Sequence, residues 1–143
     1  MNIADLLWPM LALMGWTFVV MLALVVLRVR AVQSGQLRIG YFRLNQGQSP
    51  PELQQRLNQH LDNLMATPMF FYLAMVLAIA TQHINGTLIF LAWLYVVLRC
   101  VHTFIHVGYN DVRHRLVAFF ATILVLVAVW TQLTKLFLAD SAG

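Results

Sequence analysis

Four apolar runs dominate this chain and leave its fold little freedom. Leu6 to Leu27 and Leu64 to Gln82 carry no charge, Thr87 to Val107 carries only Arg99, and Leu116 to Thr134 is closed by Lys135. A hydrocarbon core about 30 Å thick needs about 20 mostly apolar residues at roughly 1.5 Å rise per residue, so each run is long enough to span a bilayer. Inside lipid the backbone must satisfy its own hydrogen bonds, which for isolated apolar runs of this length means helices. The composition agrees: 61% of the residues are hydrophobic and 10% charged, where an ordinary soluble domain has roughly 45–50% and about 25%. A soluble enzyme, a disordered chain and a collagen-like chain are thereby excluded. With one cysteine, Cys100, the chain has neither an internal disulfide framework nor a cysteine-based zinc site.

The expected architecture is all-α: one membrane domain over residues 1–143, with transmembrane helices at about 6–27, 57–82, 87–108 and 116–137. The first run is too long and uninterrupted for a cleaved signal peptide and is expected to stay as a helix. Ser49-Pro50-Pro51-Glu52 reads as a capping box, Ser capping and Glu at the third helical position, so helix 2 is predicted to start near Pro50, outside the membrane. Pro68 should kink it. Gly35, Gly40 and Gly47 make the first connection a poor helix, and Asn85-Gly86 marks a tight turn in the second. The net charge of +4 and pI near 9.8 would suggest nucleic acid in a soluble protein. Here the charges flank apolar runs and act as topology signals, so no nucleic-acid partner is expected. The first connection holds Arg28, Arg30, Arg38 and Arg43, the third Arg113 and Arg115, and the second none. Positive-inside bias therefore puts the first and third connections in the cytoplasm and both termini on the other side, in a membrane taken to be a bacterial inner membrane.

An arginine within a span costs about 2.5–3.5 kcal/mol on insertion scales, so Arg99 is expected to be buried and partnered. At 100° per residue, Tyr95, Arg99, His102, His106, Tyr109 and Arg113 share an arc of about 80° if helix 3 runs on past Gly108. Arg56, Gln59, His60, Asn63 and Thr67 share about 100° of helix 2. In antiparallel neighbours the two stripes lie at one depth. Their arginines outnumber the nearby acids, which predicts an electropositive cleft suited to a carboxylate, phosphate or thiolate. Simpler roles stand beside this one. Arg99 could be a structural ion pair, and Arg113 and Arg115 ordinary positive flanks. Asn63, His102 and His106 could be interhelical hydrogen-bonding groups. His102 and His106 are one turn apart, as metal-binding pairs often are, yet no third ligand is obvious, although His60 could approach from helix 2. No metal site is assigned.

These features together resemble the MAPEG family, the membrane-associated proteins of eicosanoid and glutathione metabolism, over about Arg28 to Phe137. Asn63-Leu64-Met65-Ala66-Thr67-Pro68-Met69-Phe70-Phe71-Tyr72 looks like the family's helix 2 signature. Arg99-Cys100-Val101-His102, followed by Tyr109-Asn110-Asp111-Val112-Arg113-His114-Arg115, looks like its helix 3 signature and the start of helix 4. The resemblance implies a left-handed four-helix bundle assembled as a homotrimer, with glutathione bound between subunits near the cytoplasmic side. Carried over by position, it implies that Arg28 or Arg30, Arg56, Asn63, Arg99 and Tyr109 bind the cofactor, with His102 and His106 where other members often have Tyr. It implies that Arg113, or alternatively Arg115, stabilises the thiolate. There are departures. Ala66 stands where the family pattern has Glu, and Gln59 rather than Arg56 lies one turn before Asn63. The sequence looks closer to a bacterial branch. Two functions follow as expectations: a glutathione- or thiol-dependent transferase or peroxidase acting on a hydrophobic small molecule, or a non-enzymatic protein binding an anionic membrane lipid or serving as a scaffold or accessory subunit.

Overall fold

The computed structural model describes residues 2–141, and every regular element among them is helical. The elements are α1 (Ala4–Gln33), α2 (Tyr41–Leu44), α3 (Glu52–Ala66), α4 (Pro68–Ala80), α5 (Gly86–Val107) and α6 (Val112–Ser141). Because α3 and α4 run on through Thr67, four helices of 30, 29, 22 and 30 residues are long and apolar enough to cross a membrane. Thirty residues rise about 45 Å, so α1 and α6 extend beyond a hydrocarbon core of about 30 Å.

α1 packs against α3, α4 and α5, and α6 packs against α5 and α4, so α1 and α6 occupy opposite corners of a four-helix bundle. The buried positions explain the pairing. On α1 the inward residues Leu6, Pro9, Leu13, Val20, Leu24 and Ala31 recur at spacings of three, four or seven, and on α6 Ala118, Thr122, Leu126, Val129 and Leu133 recur every three or four. Such spacing gives each helix one inward seam. Leu6, Leu13, Phe71, Met75, Leu88, Tyr95, Val129 and Leu133 form an apolar core in one half of the bundle. In the other half, which bears the arginine-rich connections, Val20, Leu24, Leu57 and Leu64 bind α1 to α3, and polar side chains fill the rest. Outward residues such as Leu11, Phe18, Leu22, Phe90, Phe104, Phe120 and Leu124 are exposed apolar groups. A soluble protein rarely carries such a surface; a lipid-facing one requires it.

Local chemistry sets the helix ends. α1 stops at Gly35, whose φ of +73° places it in the left-handed region that glycine adopts without strain. The capping box does not form: α3 begins at Glu52 with Pro51 as N-cap and no side-chain cap. Pro50 precedes a proline, which disfavours a helical conformation there, and Glu52 pairs with Arg56 instead of capping. Pro68 divides α3 from α4, since it has no N–H for the Leu64 carbonyl. Thr67 keeps helical angles, φ −75° and ψ −35°, so the chain continues across the break. Asn85 is not the centre of a tight turn. It is extended at φ −138°, and its side chain accepts from the Leu88 amide at 2.9 Å as the N-cap of α5. The first connection, glycine-rich as it is, also holds the single turn α2, seated by Tyr41 on Ala31 and Leu37.

Candidate functional site

Helix α5 turns Tyr95, Arg99, His102, Thr103 and His106 into the bundle, all 5% exposed or less. Tyr95 stacks on Phe71 of α4, with ring centroids 4.7 Å apart and planes 11° from parallel. One turn beyond Arg99, the Thr103 hydroxyl joins three helices. The Trp16 indole N–H of α1 donates to it at 2.9 Å, the hydroxyl donates to the Arg99 carbonyl at 3.0 Å, and His60 Nε2 of α3 lies 2.7 Å away. With the hydroxyl proton on the Arg99 carbonyl, His60 satisfies the geometry as the Nε2–H tautomer, which leaves Nδ1 with a lone pair. Thr103 is not among the residues that the sequence singles out. The available signal was the one-turn spacing of Thr103 from Arg99.

His60, His102 and His106 form a cluster, with ring centroids 5.4 Å apart for His60 and His102, 5.1 Å for His60 and His106, and 5.8 Å for His102 and His106. The rings meet tilted or edge to face. Among the described residues no group of three or more His, Cys, Asp or Glu side chains is arranged to hold a metal ion. His60 Nδ1, His102 Nδ1 and both nitrogens of His106 are sealed inside the chain without a partner.

Arg99 is fully buried. Its NH2 donates to the Asn63 carbonyl at 2.7 Å, while Nε and NH1 have no partner. Among the described residues the ion pairs are Arg56–Glu52 and His83–Asp140, so no carboxylate neutralises Arg99. Its compensation comes from the helix break. Asn63 lies in the last turn of α3, where backbone carbonyls point toward the negative end of the helix. Just before the break at Pro68 the Asn63 carbonyl accepts a long 3.4 Å bond from the Thr67 amide and a 3.2 Å bond from the Thr67 hydroxyl, and it receives the guanidinium as well. An intramembrane cation satisfied partly by carbonyls still projects positive potential into a low-dielectric space.

Asn63, whose carbonyl accepts from Arg99, also borders a cavity. With His102, Val112, Arg115, Leu116 and Phe119 it lines about 250 Å³ between α3, α5 and α6. Larger grooves, such as the one of about 550 Å³ over Trp16, Val20, Leu57 and Phe104, are apolar and lie along the lipid-facing surface. That groove carries no titratable group, whereas the others are bordered by Lys135, Arg28 or Tyr72.

The structure brings Asn63, Arg99, His102, His106 and Arg115 together. It directs the other expected site residues elsewhere within the chain. Arg28 NH2 donates to Asn58 Oδ1 at 2.6 Å, and the guanidinium sits 5.8 Å over the Phe42 ring, tying α1 to α3 and to the first connection. Arg30 is exposed. Arg56 donates to the Gly108 carbonyl at 2.5 Å and pairs with Glu52, so it closes the end of α5. The stripe expected to continue through Tyr109 and Arg113 ends with α5 at Val107. Gly108 fits there because a Cβ on it would lie 2.6 Å from the Phe104 carbonyl oxygen, and Asn110 then turns the chain at φ +57°. Tyr109 is exposed, its hydroxyl 3.0 Å from His114 Nδ1, and Arg113 is exposed on the first turn of α6. Arg115 faces the cavity, its NH1 donating to Asn110 Oδ1 at 2.9 Å. Asp111 caps α6: its carboxylate accepts from the His114 amide at 3.0 Å, which holds its pKa below the ordinary carboxylate value.

A model of the MAPEG family matches residues 6–134, nearly the whole chain. No curated protein and no solved structure matches it.

Proposed function

The chain belongs to the MAPEG family, and from that membership and the charge of the cleft we propose a glutathione- or thiol-dependent transferase or peroxidase acting on hydrophobic electrophiles. The family holds glutathione transferases and peroxidases as well as non-enzymatic members, all membrane proteins that commonly form trimers. The observation that carries the proposal is Arg99, a fully buried guanidinium with two unpartnered nitrogens and no acid, bonded to the carbonyl of Asn63, which lines the cavity with His102 and Arg115. Glutathione, with two carboxylates and a thiol, fits that donor set. Arg99 supplies positive potential, the Asn63 side chain offers amide hydrogen bonds, and Arg115 faces the position where a thiolate gains most from a nearby cation. In a transferase step the thiolate sulfur forms a bond to the electrophilic carbon as the leaving group departs with its electron pair. The apolar grooves beside α1 and α5 supply a route for a substrate dissolved in the bilayer. In this arrangement the protein is a homotrimer in a bacterial inner membrane, with the Arg115 end facing the cytoplasm.

Ala66 favours a second function. It is exposed on α3, where the family pattern has Glu. Losing a charged hydrogen-bonding contact removes about 1.5–3 kcal/mol from ligand binding. An anionic lipid headgroup, needing only the cations, loses nothing by it.

The test is calorimetric titration of glutathione into the detergent-purified protein, with Arg115→Ala, Arg113→Ala and Arg99→Lys alongside. Saturable binding weakened by Arg115→Ala and Arg99→Lys, with conjugation of an aryl chloride, supports the transferase. No binding at millimolar glutathione, with anionic lipid retained through purification, replaces it with the lipid-binding function.

A further inference from the structure

The three buried imidazoles differ in one respect. Both nitrogens of His106 are sealed in the protein, and His60 has one sealed nitrogen and one on the Thr103 hydroxyl. His102 alone has a ring nitrogen, Nε2, that is neither sealed nor bonded within the chain. His102 also lines the cavity beside Asn63 and Arg115. Its ring is held in place by Phe119 of α6 at 6.1 Å between centroids, His60 at 5.4 Å and His106 at 5.8 Å. An imidazole packed against three rings, with one nitrogen left open on a residue that lines the cavity with Arg115, is suited to accept a proton from a nucleophile bound there.

We propose that His102 Nε2 is the general base that takes the thiol proton in this cleft. This rests on the thiol-dependent function above and gives it a proton path. An arginine stabilises a thiolate but cannot accept its proton. Without another acceptor the proton must leave for bulk water. With His102 in place, the S–H bond breaks, its electron pair stays on sulfur, and the proton moves to Nε2. The products are a thiolate facing Arg115 and an imidazolium beside it. The charges of that pair cancel, so no net charge is added to a site that already holds Arg99 and Arg115. After carbon–sulfur bond formation the imidazolium gives its proton to a basic leaving group, or to solvent where the leaving group is chloride.

Stabilisation by arginine alone and removal by His102 differ in where the proton goes. The deciding experiment mixes the intact protein with glutathione in weakly buffered indicator solution, following the ultraviolet thiolate band and the bulk proton count together, with binding heat measured in parallel. The expected result for wild type is a thiolate band with almost no proton released. The expected result for His102→Gln, which keeps size and polarity but cannot titrate, is one proton released for each thiolate formed and turnover lower by on the order of 10²-fold. One proton released per thiolate in wild type overturns the proposal, whatever the variant does, so a His102→Gln protein that does not fold leaves the test intact. Binding heat without a thiolate band also overturns it while leaving glutathione binding standing. Absence of both heat and band removes the thiol-dependent function, and the base with it.

Discussion

Replacing Thr103 with Val should loosen the whole polar half of the bundle, because one hydroxyl there serves three helices. The substitution preserves shape and β-branching, so packing and helix propensity change little. It removes a 2.9 Å bond from Trp16, a 2.7 Å contact with His60 and the 3.0 Å bond to the Arg99 carbonyl. Polar contacts between membrane helices average about 0.6 kcal/mol in double-mutant cycles and reach about 1.7. Two of the three contacts cross between helices, the third lying within α5, which brackets a loss of about 1–3.5 kcal/mol. The lower half of that range is expected, because Trp16 is only partly buried. His60 is fully buried and contributes most, since an unpartnered buried donor costs about 1–3 kcal/mol. Unfolding in mixed detergent micelles, followed by tryptophan fluorescence, measures this directly. Thr103→Ser keeps the hydroxyl and loses one methyl group, so it should fall only about 1 kcal/mol below wild type. If Thr103→Val unfolds at the same detergent fraction as Thr103→Ser, the hydroxyl does not link the three helices and its geometric role is refuted.

Other substitutions address the ends of the helices and the cleft. Arg56→Ala should cost about 1.5–3 kcal/mol, the range for a charged donor on a carbonyl, because it leaves Gly108 uncovered. Glu52→Gln should be nearly silent, since Glu52 is 77% exposed; equal losses in denaturation of the two variants would contradict that assignment. Gly108→Ala should destabilise the protein and shift the cleft, as its Cβ meets the Phe104 carbonyl oxygen at 2.6 Å; an unchanged unfolding midpoint would show that the turn relaxes without cost. The Asp111 pKa is depressed in the folded state by the His114 amide. Its cap therefore contributes at pH above the ordinary carboxylate value of 3.8 and is lost as pH falls through the lower folded value. Hydrogen exchange at the His114 amide should accelerate on acidification over that range in wild type but not in Asp111→Asn, which still caps. Finally, Arg115→Ala should suppress thiolate formation more than Arg113→Ala does, read from the thiolate band at saturating glutathione; the reverse order would return the activating role to Arg113.

Much of this protein was legible without its structure because lipid imposes one-dimensional rules. A run such as Leu6 to Leu27 must be a helix wherever it packs. The helix break at Pro68 and the burial of Arg99 follow from backbone chemistry and helical phase, and both are found; the bond from Arg99 to the Asn63 carbonyl is seen only in the structure. The Asn63 and Arg99 motifs also carry the family, since they are contiguous in sequence. Tertiary structure decided which cations face the cleft. Helical phase relates Tyr95 to His106 only while the helix is unbroken, and the turn through Gly108 and Asn110 ends that relation. Beyond it the angular count starts again, so Arg115 faces the cavity and Arg113 points outward. Arg28 and Arg56 look equally available in the sequence, yet Asn58 and the Gly108 carbonyl engage them. Thr103, an unremarked hydroxyl in an apolar run, joins three helices. Periodicity describes the face a residue takes on its own helix. The partner that face meets depends on helices distant in sequence, and those are brought to it only by folding.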